Sequence, residues 1–256
     1  MRKYIEIFKY SIKQKTAFIT SYIVSLVSFG ILMFVFNELW DYILQGKQVV
    51  GFTKNQLIWY ITITELVTLS TDRSYYKISD MVKNGDIANL LIKPIDFIKY
   101  QFMEDLSAII KLIINSIFAI VLGLVLTGPI EVSLGGLILT IISVIIGILT
   151  GILIQIFVGV IALFTEENKG FWLIIQKLSF LLVFTPIEFY SGIIQKIFYF
   201  LPTTYMVYTP ARILIGADIK LSGILIGVEM ISLIFWYILI KILYAKGVKK
   251  INVNGG

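Results

Sequence analysis

Long stretches without a charged side chain constrain this sequence more than any other feature. The longest covers residues 134 to 164 and consists mainly of isoleucine, leucine, valine and glycine. A bilayer has a hydrocarbon core about 30 Å thick, which a helix of roughly 20 apolar residues crosses. Of the whole chain, 58% is hydrophobic and 15% is charged, whereas about 25% of a soluble domain is charged. The sequence therefore predicts an all-α membrane protein.

Six stretches meet this length requirement, strictly or loosely, and predict about six transmembrane helices. They cover residues 16–40, 55–71, 106–127, 134–164, 171–194 and 221–244. The second is short and contains Glu65, and the fourth exceeds what a perpendicular helix needs, so we expect it to tilt. No repeat or linker divides the chain, so residues 1–256 are expected to form one transmembrane domain.

Lysine and arginine are concentrated in alternate connections between these stretches. They cluster before the first stretch, between the second and third, and after the last: Arg2, Lys3, Lys9, Lys13, Lys15, Arg73, Lys77, Lys83, Lys93, Lys99, Lys246, Lys249 and Lys250. Because cytoplasmic loops carry the excess of positive charge, we expect both termini to be cytoplasmic. The basic balance of the chain reflects these loops, so no nucleic-acid partner is expected.

The absence of cysteine and histidine from the chain excludes several kinds of chemistry. Thiolate and imidazole metal sites, cysteine nucleophiles and Ser-His-Asp triads all need these residues. A membrane enzyme would need a carboxylate pair or a Ser-Lys dyad instead. Glu166 and Glu167 are adjacent and do not share a helical face. We therefore expect no catalytic residue, metal or cofactor in this chain.

The N-terminal residues 1–15 are predicted to form an interfacial helix. Ile5, Phe8 and Ile12 recur at helical spacing, with lysines on another face. Such a helix lies in the headgroup plane, near anionic lipid. It either anchors the topology or acts as a lever that connects cytoplasmic motion to the first span.

The connection over residues 72–101 is the longest polar segment, and its pattern predicts two short helices. Apolar residues recur at helical spacing from Ile78 to Val82. Gly85 is expected to end the first helix and Pro94 the second. The apolar sides of these helices either lie on the bilayer or form a docking surface for a soluble protein.

Four charged residues within the predicted spans are functional candidates. Glu65 and Lys111 lie roughly 8–10 Å from the cytoplasmic ends of their spans, so they are able to pair. Snorkelling of Lys111 is the simpler explanation. Glu188 and Glu229 are expected nearer the outer leaflet, facing a subunit interface or water.

Residues 191–220 are too aromatic for a solvated connection. Tyrosine and phenylalanine alternate there with Pro202 and Pro210, a composition that favours the membrane interface. The residues alone predict an aromatic belt with a break in the helix.

Two motifs resemble a known family. Residues 83–94, KNGDIANLLIKP, resemble the Gly-acidic-Leu…Leu-Leu-basic-Pro signature of a bacterial ABC export permease family, the second class of ABC exporters. Residues 189–192 (FYSG), 198–202 (FYFLP) and 208–210 (YTP) are also similar to that family. The chain departs at Ile87, where leucine is usual, and at Lys93, where arginine is usual. The resemblance covers nearly the whole chain in span order.

This resemblance implies a membrane subunit without its own ATPase, in the bacterial cytoplasmic membrane. Two such permeases, identical or paralogous, pair with two ATPase subunits that carry ATP and Mg²⁺. The segment at 72–101 then contacts the ATPase, as a coupling helix, through Ile78, Met81, Val82, Lys83, Gly85, Asp86, Leu90, Leu91, Lys93 and Pro94. Short re-entrant helices in 191–220 form an outer gate with Phe198, Leu201, Pro202, Tyr205, Tyr208 and Pro210.

An ion-coupled secondary transporter is the alternative function. Such proteins have broken helices with charges near the membrane midplane, often in inverted repeats. Here the acidic residues are expected toward the span ends, and no repeat is apparent. The substrate class is left open between drug, peptide, lipid and glycan.

The sequence contains no Gly-x-x-x-x-Gly-Lys-Ser/Thr motif, the loop that cradles phosphates in many ATPases. We therefore predict that the purified chain neither binds ATP saturably nor hydrolyses it. Equilibrium binding of labelled ATP to the isolated chain checks this, and saturable binding would contradict it.

Overall fold

Helices make up nearly all of the computed structural model, which describes residues 2–16, 19–165 and 168–254. The α-helices of these ranges are α1 (Arg2–Thr16), α2 (Ile19–Leu44), α3 (Lys54–Leu69), α4 (Ser74–Lys83), α5 (Asp86–Leu91), α6 (Phe97–Leu106), α7 (Ile109–Thr127), α8 (Leu134–Thr165), α9 (Lys169–Phe184), α10 (Gly192–Phe200), α11 (Tyr205–Leu214) and α12 (Ile219–Asn254). A 3₁₀ helix, Ile187–Phe189, precedes α10. Within the described ranges there is no β-strand, only one isolated bridge between Val49 and Phe52.

Four helical segments in this part of the chain are long and apolar enough to cross a membrane. They are Ile23–Leu44, Phe97–Thr127, Leu134–Thr165 and Ile219–Lys250. The other two predicted spans correspond to α3 and α9, which have 16 residues each. At 1.5 Å per residue each is about 24 Å long, shorter than the hydrocarbon core.

Three predicted boundaries differ from the structure. The fifth stretch was expected to reach residue 194, but α9 ends at Phe184. Thr185 is extended, because the residue before a proline, here Pro186, avoids the helical conformation. The third stretch is interrupted at Ser107 and Ala108, between α6 and α7. The sixth continues well beyond its predicted end, as α12 includes the C-terminal lysines.

Helix α8 is the centre of the bundle, in contact with α3, α4, α6, α11 and α12. Glycines make its closest contacts possible. A Cβ atom added at Gly147 would collide with the Met206 carbonyl oxygen of α11, and one at Gly151 would lie 3.1 Å from the Met206 sulfur. The pair Gly147 and Gly151, in a Gly-x-x-x-Gly pattern, therefore allows α11 of the same chain to pack closely against α8. Further along, a Cβ atom at Gly159 would lie 2.7 Å from the Ile78 Cβ of α4.

One end of the bundle, here called the basic end, contains both terminal helices and the segment from α4 to α6. Lys3 of α1 donates to the Pro94 carbonyl oxygen. Lys241 Nζ of α12 lies 3.1 Å from Asp96 Oδ2. Since these contacts join the first and last helices to the same segment, the N-terminal helix and the end of α12 lie on the same side.

The opposite end contains the α2–α3 and α7–α8 connections and the segment that follows α9. Asn55 Nδ2 donates to the Thr127 carbonyl oxygen at 2.9 Å, and Gln56 Nε2 donates to the Ile215 carbonyl oxygen at 2.8 Å. The four long apolar segments therefore run between the two ends in the described part of the chain, and the shorter α3 packs against α2, α7, α8 and α9.

The short helix α3 is enclosed by its neighbours. Eleven of its residues are buried, from Leu57 to Val67. Tyr60 Oη donates to the Leu182 carbonyl oxygen at 2.6 Å, and Thr64 Oγ1 donates to that of Val183 at 2.7 Å. These bonds reach the last turn of α9, whose final carbonyl groups lack intrahelical donors. These hydrogen bonds thus hold the two short helices, α3 and α9, together.

We predict that Gly159→Ala destabilises the protein and that Gly227→Ala does not. The added methyl group at Gly159 would displace Ile78, an overpacking effect that costs about 1–3 kcal/mol. Gly227 is a matched control in α12 because an added Cβ there meets nothing within 4 Å. Thermal unfolding in detergent measures both, and an unchanged midpoint in Gly159→Ala would contradict the tight α4–α8 contact.

Candidate functional site

The apolar stripe of α4 faces the protein's own core. Ile78 is completely buried against α8, and Met81 and Val82 are half-buried against the same core. Leu90 of α5 packs there too. The expectation of an outward-facing stripe is corrected for Ile78 in particular, because Gly159 leaves room for it on α8. The stripe attaches α4 to the central helix.

The turn between α4 and α5 is the exposed part of this segment. Gly85 has φ +76°, a left-handed conformation, which confirms the predicted helix stop. Gly85 occupies the N-cap position of α5, and Asp86 is the first residue of this helix. Ile92 is 82% exposed. Ile92 is not among the predicted coupling residues; those of them that are exposed here are Lys83, Gly85, Asp86, Lys93 and Pro94. Leu91 is the last residue of α5, and its side chain lies outside what the structure describes.

Asp72 connects three elements at the basic end. It forms ion pairs with Lys15 of α1 and Lys111 of α7. Burial alone would raise the pKa of Asp72, but these two ammonium groups hold it below its usual range. Lys111 is therefore paired at the end of its span with Asp72. Sequence reasoning missed Asp72, which lies in a predicted loop.

The α1 helix is attached to this network along its length. Lys15 Nζ donates to the Glu104 carbonyl oxygen at 3.0 Å, and the Asp96 amide donates to Tyr4 Oη at 3.0 Å. The Glu104 side chain pairs with Lys77 of α4. Hydrogen bonds thus connect α1 to α6, and an ion pair connects α6 to α4. The interpretation of α1 as a lever requires such a connection.

A cavity of about 490 Å³ lies between α2, α3, α7, α8, α9 and α11. Asp72, Arg73 and Lys111 line it at the basic end, and Glu65 lines it within the bundle. Glu65 is 9% exposed. Its other lining residues are Ser25, Thr68, Leu69, Thr71, Gly151, Ile154, Gln155, Trp172, Ile175, Gln176, Ser179, Phe180, Val183 and Met206.

Glu229 lies inside the chain's own core. It is completely buried, and Ser143 Oγ of α8 donates to Glu229 Oε2 at 2.7 Å. The expectation that it faces a subunit interface or water is wrong, because α8 and α12 close over it. It is a packing contact between these two helices.

A half-buried ion pair lies at the opposite end. Arg212 Nε of α11 donates to Glu188 Oε1 at 2.7 Å, and Tyr208 Oη donates to the same oxygen at 2.9 Å. The Arg212 guanidinium also lies 5.3 Å from the centroid of the Phe52 ring. Sequence reasoning missed Arg212, although its spacing of four from Tyr208 puts both on one helical face.

The other predicted gate residues lie around this pair. The rings of Phe198 and Tyr190 meet edge to face at 4.7 Å. Tyr205 Oη donates to the Tyr199 carbonyl oxygen at 2.8 Å, and the Pro202 carbonyl oxygen accepts from Ser232. Leu201 is half-buried beside Pro202, and Pro210 is buried within α11.

The structure places no group of three Asp or Glu side chains close enough to hold a metal ion among the residues that it describes.

Comparison with known proteins relates this architecture to one family. A sequence model of the ABC-2 family transporter proteins matches residues 26–255, nearly the whole chain. No curated protein matches the chain, and no solved structure matches it.

We predict that Glu188 and Arg212 are energetically coupled. Removing either charge leaves the other half-buried and unpaired, so Glu188→Gln and Arg212→Gln should each destabilise the protein, whereas the double variant should lose less than their sum. Pairs in contact typically couple by about 0.5–3 kcal/mol. Unfolding of the four proteins in detergent gives this energy, and additive effects would contradict the pairing.

Proposed function

The chain belongs to the ABC-2 family of transporter proteins, and from that membership we propose that it is the membrane subunit of an ATP-driven exporter. It moves a substrate out across the bacterial cytoplasmic membrane, and a separate subunit hydrolyses the ATP. A second permease, identical or paralogous, completes the assembly. The family match over residues 26–255 carries this proposal.

The proposed topology has six spans with the basic end in the cytoplasm. The lysines of α1, of the α4–α6 segment and of the end of α12 meet at that end, as the positive-inside rule requires. Helices α3 and α9 complete the six despite their length. Burial of α3 inside the bundle supports this, because its backbone does not depend on matching the lipid thickness.

Single-cysteine labelling tests this topology without interference, because the native chain has no cysteine. A cysteine at Lys47, in the α2–α3 connection, should react with an impermeant reagent in intact cells. A cysteine at Asn84 should react only after permeabilisation. The reverse pattern would contradict the proposed orientation.

The coupling surface is proposed to be the exposed turn between α4 and α5, together with Ile92. Lys83, Gly85 and Asp86 give the turn its shape and charge, and Ile92 supplies an exposed apolar contact. Ile78 of α4 packs against Gly159 of α8. A displacement of this turn would therefore displace α8 as well. ATP must bind one arrangement of the ATPase subunits better than the other for this motion to be driven.

The outer gate is proposed to comprise α10, α11 and the Glu188–Arg212 pair, with α10 and α11 re-entrant. The glycine contacts of α8 support a link between the two ends. Gly159 contacts the coupling segment and Gly147 contacts α11, and these two glycines are about 18 Å apart along one helix. A shift or tilt of α8 would displace both the coupling segment and α11.

Ile92→Asp tests the coupling proposal, with Ile219→Asp as its matched control. Ile92 and Ile219 are 82% and 76% exposed, but Ile219 lies at the opposite end. We expect Ile92→Asp to lower ATPase co-purification and substrate-stimulated ATP hydrolysis at least tenfold, because a charge replaces an apolar interface contact. Ile219→Asp should leave both unchanged.

Equal insertion of both variants into the membrane shows that neither is misfolded. Unchanged ATPase binding and stimulation in Ile92→Asp would contradict the coupling surface. Transport that continues without ATP and follows an ion gradient would favour the ion-coupled alternative.

A further inference from the structure

The cavity at the basic end has two regions of different chemistry. At the basic end itself, Lys111 is paired with Asp72, and the Arg73 side chain is exposed to the surroundings. Further into the bundle the lining residues come from α3, α8, α9 and α11, and their one charged member is Glu65. Its volume of about 490 Å³ lies within the range of roughly 300–1,000 Å³ that is typical of small-molecule sites.

Glu65 is the main evidence for a ligand. It is 91% buried in α3, the helix that its neighbours enclose, as its exposure is 9%. It makes no hydrogen bond or ion pair with another residue in the described ranges. A carboxyl group is costly to bury without a partner, and intramembrane charges generally mark a pathway or a binding site. Its carboxyl group instead borders the cavity.

Gln155 of α8 is an independent second observation. It is 4% exposed and lines the same cavity. Its side-chain oxygen is buried and accepts no hydrogen bond from the part of the chain that the structure describes. Buried polar atoms are normally satisfied, so an unpaired one beside a cavity indicates a missing donor. Glu65 and Gln155, two residues with hydrogen-bond acceptors that lack a partner in the described ranges, therefore line one space.

The remaining walls are suited to an apolar body that carries this donor. Trp172 and Phe180 of α9 line the cavity, along with Ile154, Ile175 and Val183. Aromatic rings attract a nearby cation through their π faces, and the aliphatic side chains accommodate hydrocarbon.

From this arrangement we infer that the cavity binds the protonated amine of a small amphipathic molecule. Glu65 pairs with the ammonium group, Gln155 accepts one of its N–H groups, and the apolar part lies against Trp172 and Phe180. The inference rests on the proposed function in one respect, since it makes this molecule the transported substrate. Amine binding itself does not depend on the ATPase.

Three fluorescent probes with the same dansyl group and the same five-carbon linker test the charge preference. They are dansylcadaverine, which is a primary amine, its N-acetyl derivative, which is neutral, and dansyl-aminohexanoic acid, which is an anion. Each is titrated into the purified full chain in nanodiscs of a neutral lipid. We expect the chain to bind the amine at least tenfold more tightly than either analogue.

Two variants connect this preference to the cavity. Glu65→Gln keeps the size of the side chain. It should lower the preference, the ratio of the affinity for the amine to that for either analogue, at least tenfold. Glu229→Gln removes another buried carboxyl group, one that packs against Ser143 outside the cavity, and should leave the preference unchanged. Ser179→Phe, which fills the cavity from α9, should weaken binding of all three probes.

Equal affinity of the native chain for the amine and its acetyl derivative would overturn the inference. So would an amine affinity in Glu65→Gln equal to that of the native chain, provided that the variant unfolds at a normal temperature. ATPase association measured in parallel separates the two proposals. A chain that binds the ATPase but not the amine refutes this inference alone, and one that binds the amine but no ATPase refutes the proposed function alone.

Discussion

The close packing of α8 against α4 and α11 is the contact on which the rest of the structure depends. The absence of side chains at Gly147 and Gly151 leaves room for the backbone and side chain of Met206, and that at Gly159 leaves room for Ile78. Helices in lipid gain little from hydrophobic burial against each other, so van der Waals contact between closely approaching backbones stabilises them instead. Because all three glycines belong to one helix, α4 and α11 pack against a single support.

Ion pairs complete this support at both ends of the bundle. At the basic end, Asp72 joins α1 to α7. At the opposite end, the Glu188–Arg212 pair attaches α11 to the segment that follows α9. Between them lie two acidic residues with different environments: Glu229 is closed into the α8–α12 contact, and Glu65 borders a cavity. The same residue type thus supports packing in one place and lines a cavity in another.

The sequence predicted the helical class and the site of the α4–α5 turn because these follow from local rules. Hydrophobic length identifies a span, and an Asn-Gly pair ends a helix, so Gly85 was found. Long-range contacts were not predicted. The sequence pattern predicts an outward-facing Ile78, because an apolar stripe on a short helix does not reveal its partner, Gly159, far along the chain. The pairing of Asp72 with Lys15 and Lys111, and the position of Gln155 beside the cavity, also depend on tertiary packing.

A distance across the outer gate in the assembled transporter tests the central claim, that α8 connects the coupling turn to the gate. Spin labels at Glu131 and Lys196, both exposed at the opposite end, can be placed as single cysteines in the cysteine-free chain. In complex with its ATPase, the distance between them should change when ATP replaces ADP. In the Ile92→Asp variant it should stay at the ADP value. A distance that is the same with ATP and ADP while ATP is hydrolysed and substrate is exported would contradict the claim.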